Sequence, residues 1–298
     1  QKVIQSEINS DWSSVLGEEN IPPAINLGSV LNLVAGAIQQ FPVYYMHSSF
    51  GVYFEYLSPK NKGLIMELKA YTNEDASPYP PVLTLQEVEI MESFWDKFDA
   101  DFQELLSGVE ARIPLSVAIG GMVAMERNNW GVKLQQIGEL DKAIAAFNAS
   151  KTYSNKIISP DFNLQANTML SKQQSVDGVI NEQEWNKMLG KFRSIDQILK
   201  ANGEIDVTRF QNEMGVQLFS GGNFRQAAMR FKRAAILKGD DAVLRLANAK
   251  ALLNLGASGE LLDTLESLER SGLELDESQT AEVTRLTALA HYGMGNRH

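Results

Sequence analysis

Residues 128–147, NNWGVKLQQIGELDKAIAAF, and residues 212–231, NEMGVQLFSGGNFRQAAMRF, share one spacing of small and apolar residues. The positions that match are, in the first stretch, Gly131, Leu134, Gly138, Ala143 and Phe147. Their partners in the second are Gly215, Leu218, Gly222, Ala227 and Phe231. Spacings of three and four place such residues on one face of a helix. Each stretch therefore predicts two helices joined at the second glycine, with the first glycine where the helices approach closely.

The spacing recurs a third time, 34 residues after Gly215, at Ala249, Leu252, Gly256, Leu261, Leu265 and Leu268. Both the period and these positions resemble the tetratricopeptide repeat (TPR) family. The resemblance covers residues 122–298 and implies a mostly α protein in which helical hairpins stack into a solenoid. Residues 276–295 fit a first helix of a further hairpin.

The region between the first two matching stretches does not follow the 34-residue period, so we expect a hairpin with an elongated second helix there. Residues 159–174 predict a helix capped by Ser159, with Pro160 in its first turn. Residues 181–203 predict one longer helix, capped by Asn181 and ended by Gly203.

The TPR resemblance also implies a groove, because the first helices of successive TPR hairpins line a concave surface that binds a partner. The groove residues it assigns are Asn128, Val132 and Gln135, then Asn212, Val216 and Phe219, and then Leu246, Lys250 and Leu253. Most of them are apolar or carry amides, which favours an apolar or amphipathic segment of another protein. Some of them could instead contact a neighbouring helix or the N-terminal domain. We expect a protein-interaction scaffold or assembly factor.

The chain before the repeats predicts a small α/β domain over residues 1–80 and a connecting helix over 81–121. A helical stripe in SVLNLVAGAIQQF is followed by three β-rich stretches, PVYYM, GVYFEYL and GLIMELKAY. The composition of SPKNKG, residues 58–63, predicts a turn between the last two.

This order of a helix followed by strands, with His47 on one strand and Glu67 on the next, resembles transglutaminase-like and papain-like proteins. In those families a cysteine begins the helix, and this chain has none. The resemblance implies either a degenerate domain that binds without cutting, or a hydrolase or acyl-transferase with His47 as base, Glu67 as orienting group and Ser29 as nucleophile. A lone histidine beside serines is more often a surface residue, and Ser29 is more simply a helix N-cap.

Charge and composition exclude several other classes. Residues 1–121 carry 6 Lys and Arg against 16 Asp and Glu, whereas residues 122–298 carry 21 of each. Such an acidic first part would be repelled by nucleic acid, so we expect no nucleic-acid partner. With no cysteine and three histidines, we expect no metal site, and no cofactor motif is present. Five cations between Arg225 and Lys238 favour a solvated helix face over a basic patch.

The sequence also bears on the membrane and on localisation. Its longest apolar run, residues 30–38, is far shorter than the roughly 20 residues that span a bilayer, so we expect no membrane span. The lack of cysteine and a first residue that is Gln rather than Met are compatible with an exported protein whose signal sequence has been removed. They favour a bacterial cell-envelope protein over a cytoplasmic one.

Overall fold

The computed structural model describes residues 27–46, 53–71, 77–79, 83–108, 114–239 and 241–295. Over those ranges the chain has thirteen helices and one three-stranded sheet, so the prediction of a mostly α protein is confirmed. The chain divides into two compact units, the first ending at Asn73 and the second containing the chain from Glu74 onward.

The first unit contains a helix and a small antiparallel sheet. Its elements are α1 (Leu27–Ala37), β1 (Val43–Tyr45), α2 (Tyr53–Tyr56), β2 (Leu57–Lys62) and β3 (Ile65–Ala70). Strand β3 is central and pairs with β1 on one side and with β2 on the other. Leu57 and Leu68 are buried in this unit.

Two local predictions for the first unit are wrong. Residues 58–63 do not form a turn, because five of them continue β2 and pair with β3, and the turn comes at Gly63, whose φ is 73°. Pro59 is tolerated there because β2 is an edge strand. Tyr53–Tyr56 forms one helical turn instead of a strand, and the ring of Phe54 meets Tyr45 edge-on at 5.3 Å.

The second unit holds the remaining helices. They are α3 (Leu85–Gly108), α4 (Pro114–Gln136), α5 (Leu140–Tyr153), α6 (Ser159–Ser171), α7 (Glu182–Phe192), α8 (Ile195–Asn202), α9 (Thr208–Ser220), α10 (Phe224–Lys238), α11 (Ala242–Leu255), α12 (Ser258–Arg270) and α13 (Glu277–Gly293). Many helices that follow one another pack together, as α4 does with α5 and α9 with α10. Contacts also join alternate helices, α4 with α6 and α11 with α13. One apolar core extends from Ala166 to Ala290.

The two pairs α4–α5 and α9–α10 are held by the same contact between a glycine and a phenylalanine. A Cβ placed on Gly131 would lie 2.5 Å from the ring of Phe147, and one on Gly215 would lie 2.7 Å from the ring of Phe231. No side chain fits at such distances unless the ring moves. The helices therefore approach each other closely at these glycines, as the shared spacing predicts.

The prediction of one elongated helix over residues 181–203 is wrong, because these residues form two helices, α7 and α8. Asn181 caps α7 with a full capping box, as predicted. Arg193 then adopts a left-handed conformation with φ 64°, and the Ser194 hydroxyl accepts a hydrogen bond from the amide of Gln197 to cap α8. Ser159 does not cap α6 but lies inside its first turn, where its hydroxyl donates to the carbonyl of Asn202.

Candidate functional site

The nine groove residues differ in burial from one helix to the next. On α4 all three are buried: Asn128, Val132 and Gln135. On α9 Val216 is exposed, and Asn212 and Phe219 are partly buried. On α11 Leu246 is buried, Lys250 is exposed and Leu253 is partly buried. These positions therefore do not form a surface that is open along all three helices.

Two of the α4 positions, Asn128 and Gln135, contact residues 203–207 of the same chain, a non-helical segment that connects α8 to α9. Asn128 Nδ2 donates to the carbonyl oxygen of Glu204 at 2.8 Å, and Asn129 Oδ1 accepts from the amide of Glu204 at 2.8 Å. Two adjacent side-chain amides on α4 thus satisfy both backbone groups of one residue, as a neighbouring β-strand would.

A third amide, on α6, extends this arrangement along the segment. Asn163 Oδ1 accepts from the amide of Asp206 at 2.8 Å, while its Nδ2 donates to the carbonyl of Glu204 at 3.0 Å and to Asn128 Oδ1 at 2.8 Å. These hydrogen bonds are made to the backbone of the segment rather than to its side chains. The asparagines therefore recognise a chain direction and an extended shape.

Gly203 is required at the start of the segment for two reasons. Its φ is 79°, which a residue with a side chain rarely adopts. A Cβ at this position would also lie 3.0 Å from Asn129 Oδ1 and 3.3 Å from Asn128 Nδ2. Glycine lets the backbone leave α8 and meet the amides of α4 directly.

The carboxylates of the segment are bound by two arginines of α10. Arg233 Nε donates to both oxygens of Asp206, at 2.9 and 3.1 Å, and Gln135 Nε2 donates to Asp206 Oδ2 at 2.9 Å. The Asp206 side chain is fully buried. Arg230 binds the Glu204 carboxylate, which also accepts from Gln211 Nε2 at 3.0 Å. A buried carboxylate is tolerated only with such a cation and additional donors.

The lysine that follows Val132 shares this electrostatic environment. Burial lowers the pKa of Lys133 to about 8, and the carboxylates of Glu126, Glu204 and Glu87 oppose that shift. The side chain keeps part of its contact with solvent. The charge on Lys133 is therefore sensitive to pH in a mildly alkaline range.

The cations of α10 are not a solvated face, and that part of the sequence prediction is wrong. Arg230 and Arg233 bind the 203–207 segment, and Arg225 NH1 donates to the carbonyl of Ser77 at 2.9 Å. Lys232 lies over the ring of Tyr79. Sequence reasoning also missed Asn129, Asn163, Glu204 and Asp206. The sequence does contain a signal for this contact, since Glu204 and Asp206 are two residues apart and Arg230 and Arg233 are three residues apart.

On α11 and α13 the groove position Lys250 is paired within the unit. Its Nζ lies 3.3 Å from Glu282 Oε1, and Arg285 binds the same carboxylate with Nε at 2.7 Å. Hydrogen bonding to Arg285 and then to Lys250 lowers the pKa of Glu282 to about 2. Lys250 links the first helices of what the sequence predicts as successive hairpins.

Of the alternative catalytic residues, His47 lies outside the described residues. Ser29 is buried within α1 and does not cap it. Glu67 lies on β3, where Lys62 Nζ and Lys69 Nζ approach its two oxygens at 3.5 and 3.3 Å. Glu67 thus pairs with two lysines, whereas in the enzyme hypothesis its carboxylate orients the imidazole of His47. That hypothesis remains a sequence-based prediction.

The described part of the chain bears on the predictions about the membrane and about metal ions. No helix there is long and apolar enough to cross a bilayer. Within the same ranges, no three acidic or histidine side chains are grouped in a way that suits a metal ion. Comparison with family models, curated proteins and solved structures finds no match for this chain.

Proposed function

We propose that this protein is a non-catalytic interaction module, a scaffold or assembly factor whose TPR-like helical hairpins bind an extended segment of another protein. The observation that supports the proposal is the set of hydrogen bonds that Asn128, Asn129 and Asn163 make with the backbone of residues 203–207. The unit already holds one extended segment, by side-chain amides bonded to its backbone. The same chemistry suits a segment from a partner.

The α4 positions are buried, and two of them contact the 203–207 segment, so the proposed partner site lies on the α9 and α11 positions. Val216 is 48% exposed and Lys250 is also exposed. Val216 lies four residues after Asn212 and three before Phe219, so the three share one face of α9. An amide among apolar groups suits an extended segment with apolar side chains.

Phe219 is a poor position for testing this site. Its ring packs against the core and meets Phe224 at 5.3 Å, so its truncation would change both stability and binding. Val216 is exposed and can be replaced with little effect on the core. We therefore choose Asn212→Ala with Val216→Ser as the binding variant. Gln217→Ala with Ser220→Ala, two exposed positions of the same helix, is the matched control.

The experiment selects peptides from a phage-displayed random library on the wild-type chain and measures the affinity of the selected peptides for each variant. We expect the binding variant to lose at least about tenfold in affinity, roughly 1.4 kcal/mol. The control variant should bind as the wild type does. Unchanged binding by a well-folded binding variant would place the peptide site elsewhere, and a library that yields no binder would overturn the proposed function.

A further inference from the structure

Residues 77–79 are non-helical and contact the helices through both Ser77 and Tyr79. Arg225 NH1 donates to the carbonyl of Ser77 at 2.9 Å, and the Tyr79 hydroxyl donates to Asn248 Oδ1 at 2.9 Å. Arg225 lies on α10 and Asn248 on α11. The segment is therefore attached to two consecutive helices.

The contacts around Tyr79 are specific for a tyrosine. Asn248 Nδ2 donates to the carbonyl of Ala228 at 2.6 Å, which orients the amide so that its oxygen faces the phenol. Lys232 Nζ lies 3.6 Å from the centre of the Tyr79 ring, a cation–π contact. Burial raises the pKa of Tyr79 to about 12, so the hydroxyl remains a donor at neutral pH. Phenylalanine would lose the hydrogen bond, and an aliphatic residue would lose both contacts.

Tyr79 does not fill the place where it binds. It lines one side of a cleft of about 360 Å³ between α10, α11 and α12. Helix α12 also lines it, with Glu260, Asp263, Thr264 and Ser267. Contacts that serve only to hold a fold together are close-packed, whereas this cleft leaves room for a longer segment. None of the nine groove residues lines it, so it is distinct from the site proposed above.

We propose that this cleft, the α10–α12 cleft, is a second peptide site that recognises a tyrosine in an extended partner segment. In this structure the chain's own Tyr79 occupies the tyrosine position. A partner segment replaces residues 77–79, places its tyrosine hydroxyl on Asn248 and its ring beneath Lys232, and extends along α12. The resident segment therefore competes with the partner and lowers its apparent affinity.

The test uses the full chain with Tyr79→Ala, which vacates the cleft. Peptides are selected on this variant from a phage-displayed random library, and labelled copies are measured by fluorescence anisotropy. We expect tyrosine-bearing sequences to be enriched. They should bind the wild-type chain at least about tenfold more weakly, because the resident Tyr79 competes, and replacement of the peptide's tyrosine by alanine should abolish binding. Selected peptides without tyrosine, or with equal affinity for both chains, would overturn the inference.

Two further variants place the binding in the cleft. Lys232→Gln in the Tyr79→Ala chain should weaken the peptide at least about fivefold. Lys191→Gln removes a comparable cation from the ring of Phe192, 4.8 Å away and outside the cleft, and should have no effect. Equal effects of the two variants would contradict the site. Sensitivity to Asn212→Ala with Val216→Ser but not to Lys232→Gln would support the groove proposal and refute this one.

The Tyr79→Phe variant provides a second test in case the Tyr79→Ala chain fails to fold. It keeps the ring and its contact with Lys232 but removes the hydrogen bond to Asn248. The resident segment should then compete less well, so that tyrosine peptides bind several-fold more tightly than they bind the wild type. Affinity equal to the wild type's would show that Tyr79 and the peptide do not share a site.

Discussion

The helix pairs α4–α5 and α9–α10 have the same packing but different surroundings. In both, a glycine of the first helix meets a phenylalanine ring of the second. The polar positions of α4 are covered by residues 203–207, whereas on α9 Val216 remains half exposed. The spacing of small and apolar residues therefore specifies how two helices of a pair contact each other. Which face stays open depends on where the rest of the chain passes.

The largest expected effect on stability comes from weakening the attachment of residues 203–207, which cover polar positions of α4. Arg233→Leu would leave the fully buried Asp206 carboxylate without its cation, and we expect the free energy of unfolding to fall by about 3–5 kcal/mol. Arg270→Leu, which breaks the exposed Arg270–Glu266 pair, should cost less than about 1 kcal/mol. Urea unfolding of both variants measures the difference. Similar losses in the two would mean that the buried pair contributes no more than a surface pair.

The second effect tests the likeness of the two pairs. Gly131→Ala and Gly215→Ala each place a methyl group against a phenylalanine ring, so we expect each to lose about 1–3 kcal/mol of stability. Gly121→Ala is the control, because nothing lies within 4 Å of its added Cβ, and a helical alanine there should stabilise by up to about 1 kcal/mol. Thermal unfolding compares the three. A loss at only one of the two paired glycines would show that the packing is not shared.

The smallest effect is a pH dependence confined to the first pair. Lys133 has a folded-state pKa of about 8 against an ordinary 10.5, so its charge disfavours the folded state at low pH. Between these values the unfolded chain binds the extra proton, and stability rises with pH. Lys133→Gln, which introduces the residue that α9 has at Gln217, should remove about 1–2 kcal/mol of that rise.

Urea unfolding of the wild type and of Lys133→Gln, repeated across that pH range, checks the sign. The gap between the two should favour the wild type increasingly as pH rises. A gap that is constant with pH would show that Lys133 titrates normally in the folded chain.

The helices were predictable where their signals are local. Asn181 and Gly203 mark a helix start and a helix end in the sequence, and both do so in the structure. The break at Arg193 was not predictable, because a left-handed arginine leaves no compositional mark. Residues 58–63 have a turn-like composition, but residues 58–62 pair with β3, a partner that composition does not reveal.

The candidate site was only partly predictable, for a related reason. The TPR resemblance assigns Asn128 and Gln135 to a groove, and in the structure both donate hydrogen bonds to residues 203–207 of the same chain. That the segment belongs to the same chain depends on contacts between residues about 75 positions apart, which a periodicity over neighbouring residues does not contain. Arg230 and Arg233 bind carboxylates 26 and 27 positions away, beyond the reach of a helical periodicity, so a sequence pattern alone assigns them to solvent.

The attachment of residues 203–207 to α4 has a consequence for the order in which the chain acquires its structure during synthesis. When α4 and α6 have emerged from the ribosome, the backbone groups that Asn128, Asn129 and Asn163 bind are missing, because Glu204 and Asp206 are still to be made. Arg230 and Arg233 emerge later still. The contacts of residues 203–207 with α4, α6 and α10 can therefore be complete only after α10 has been synthesised.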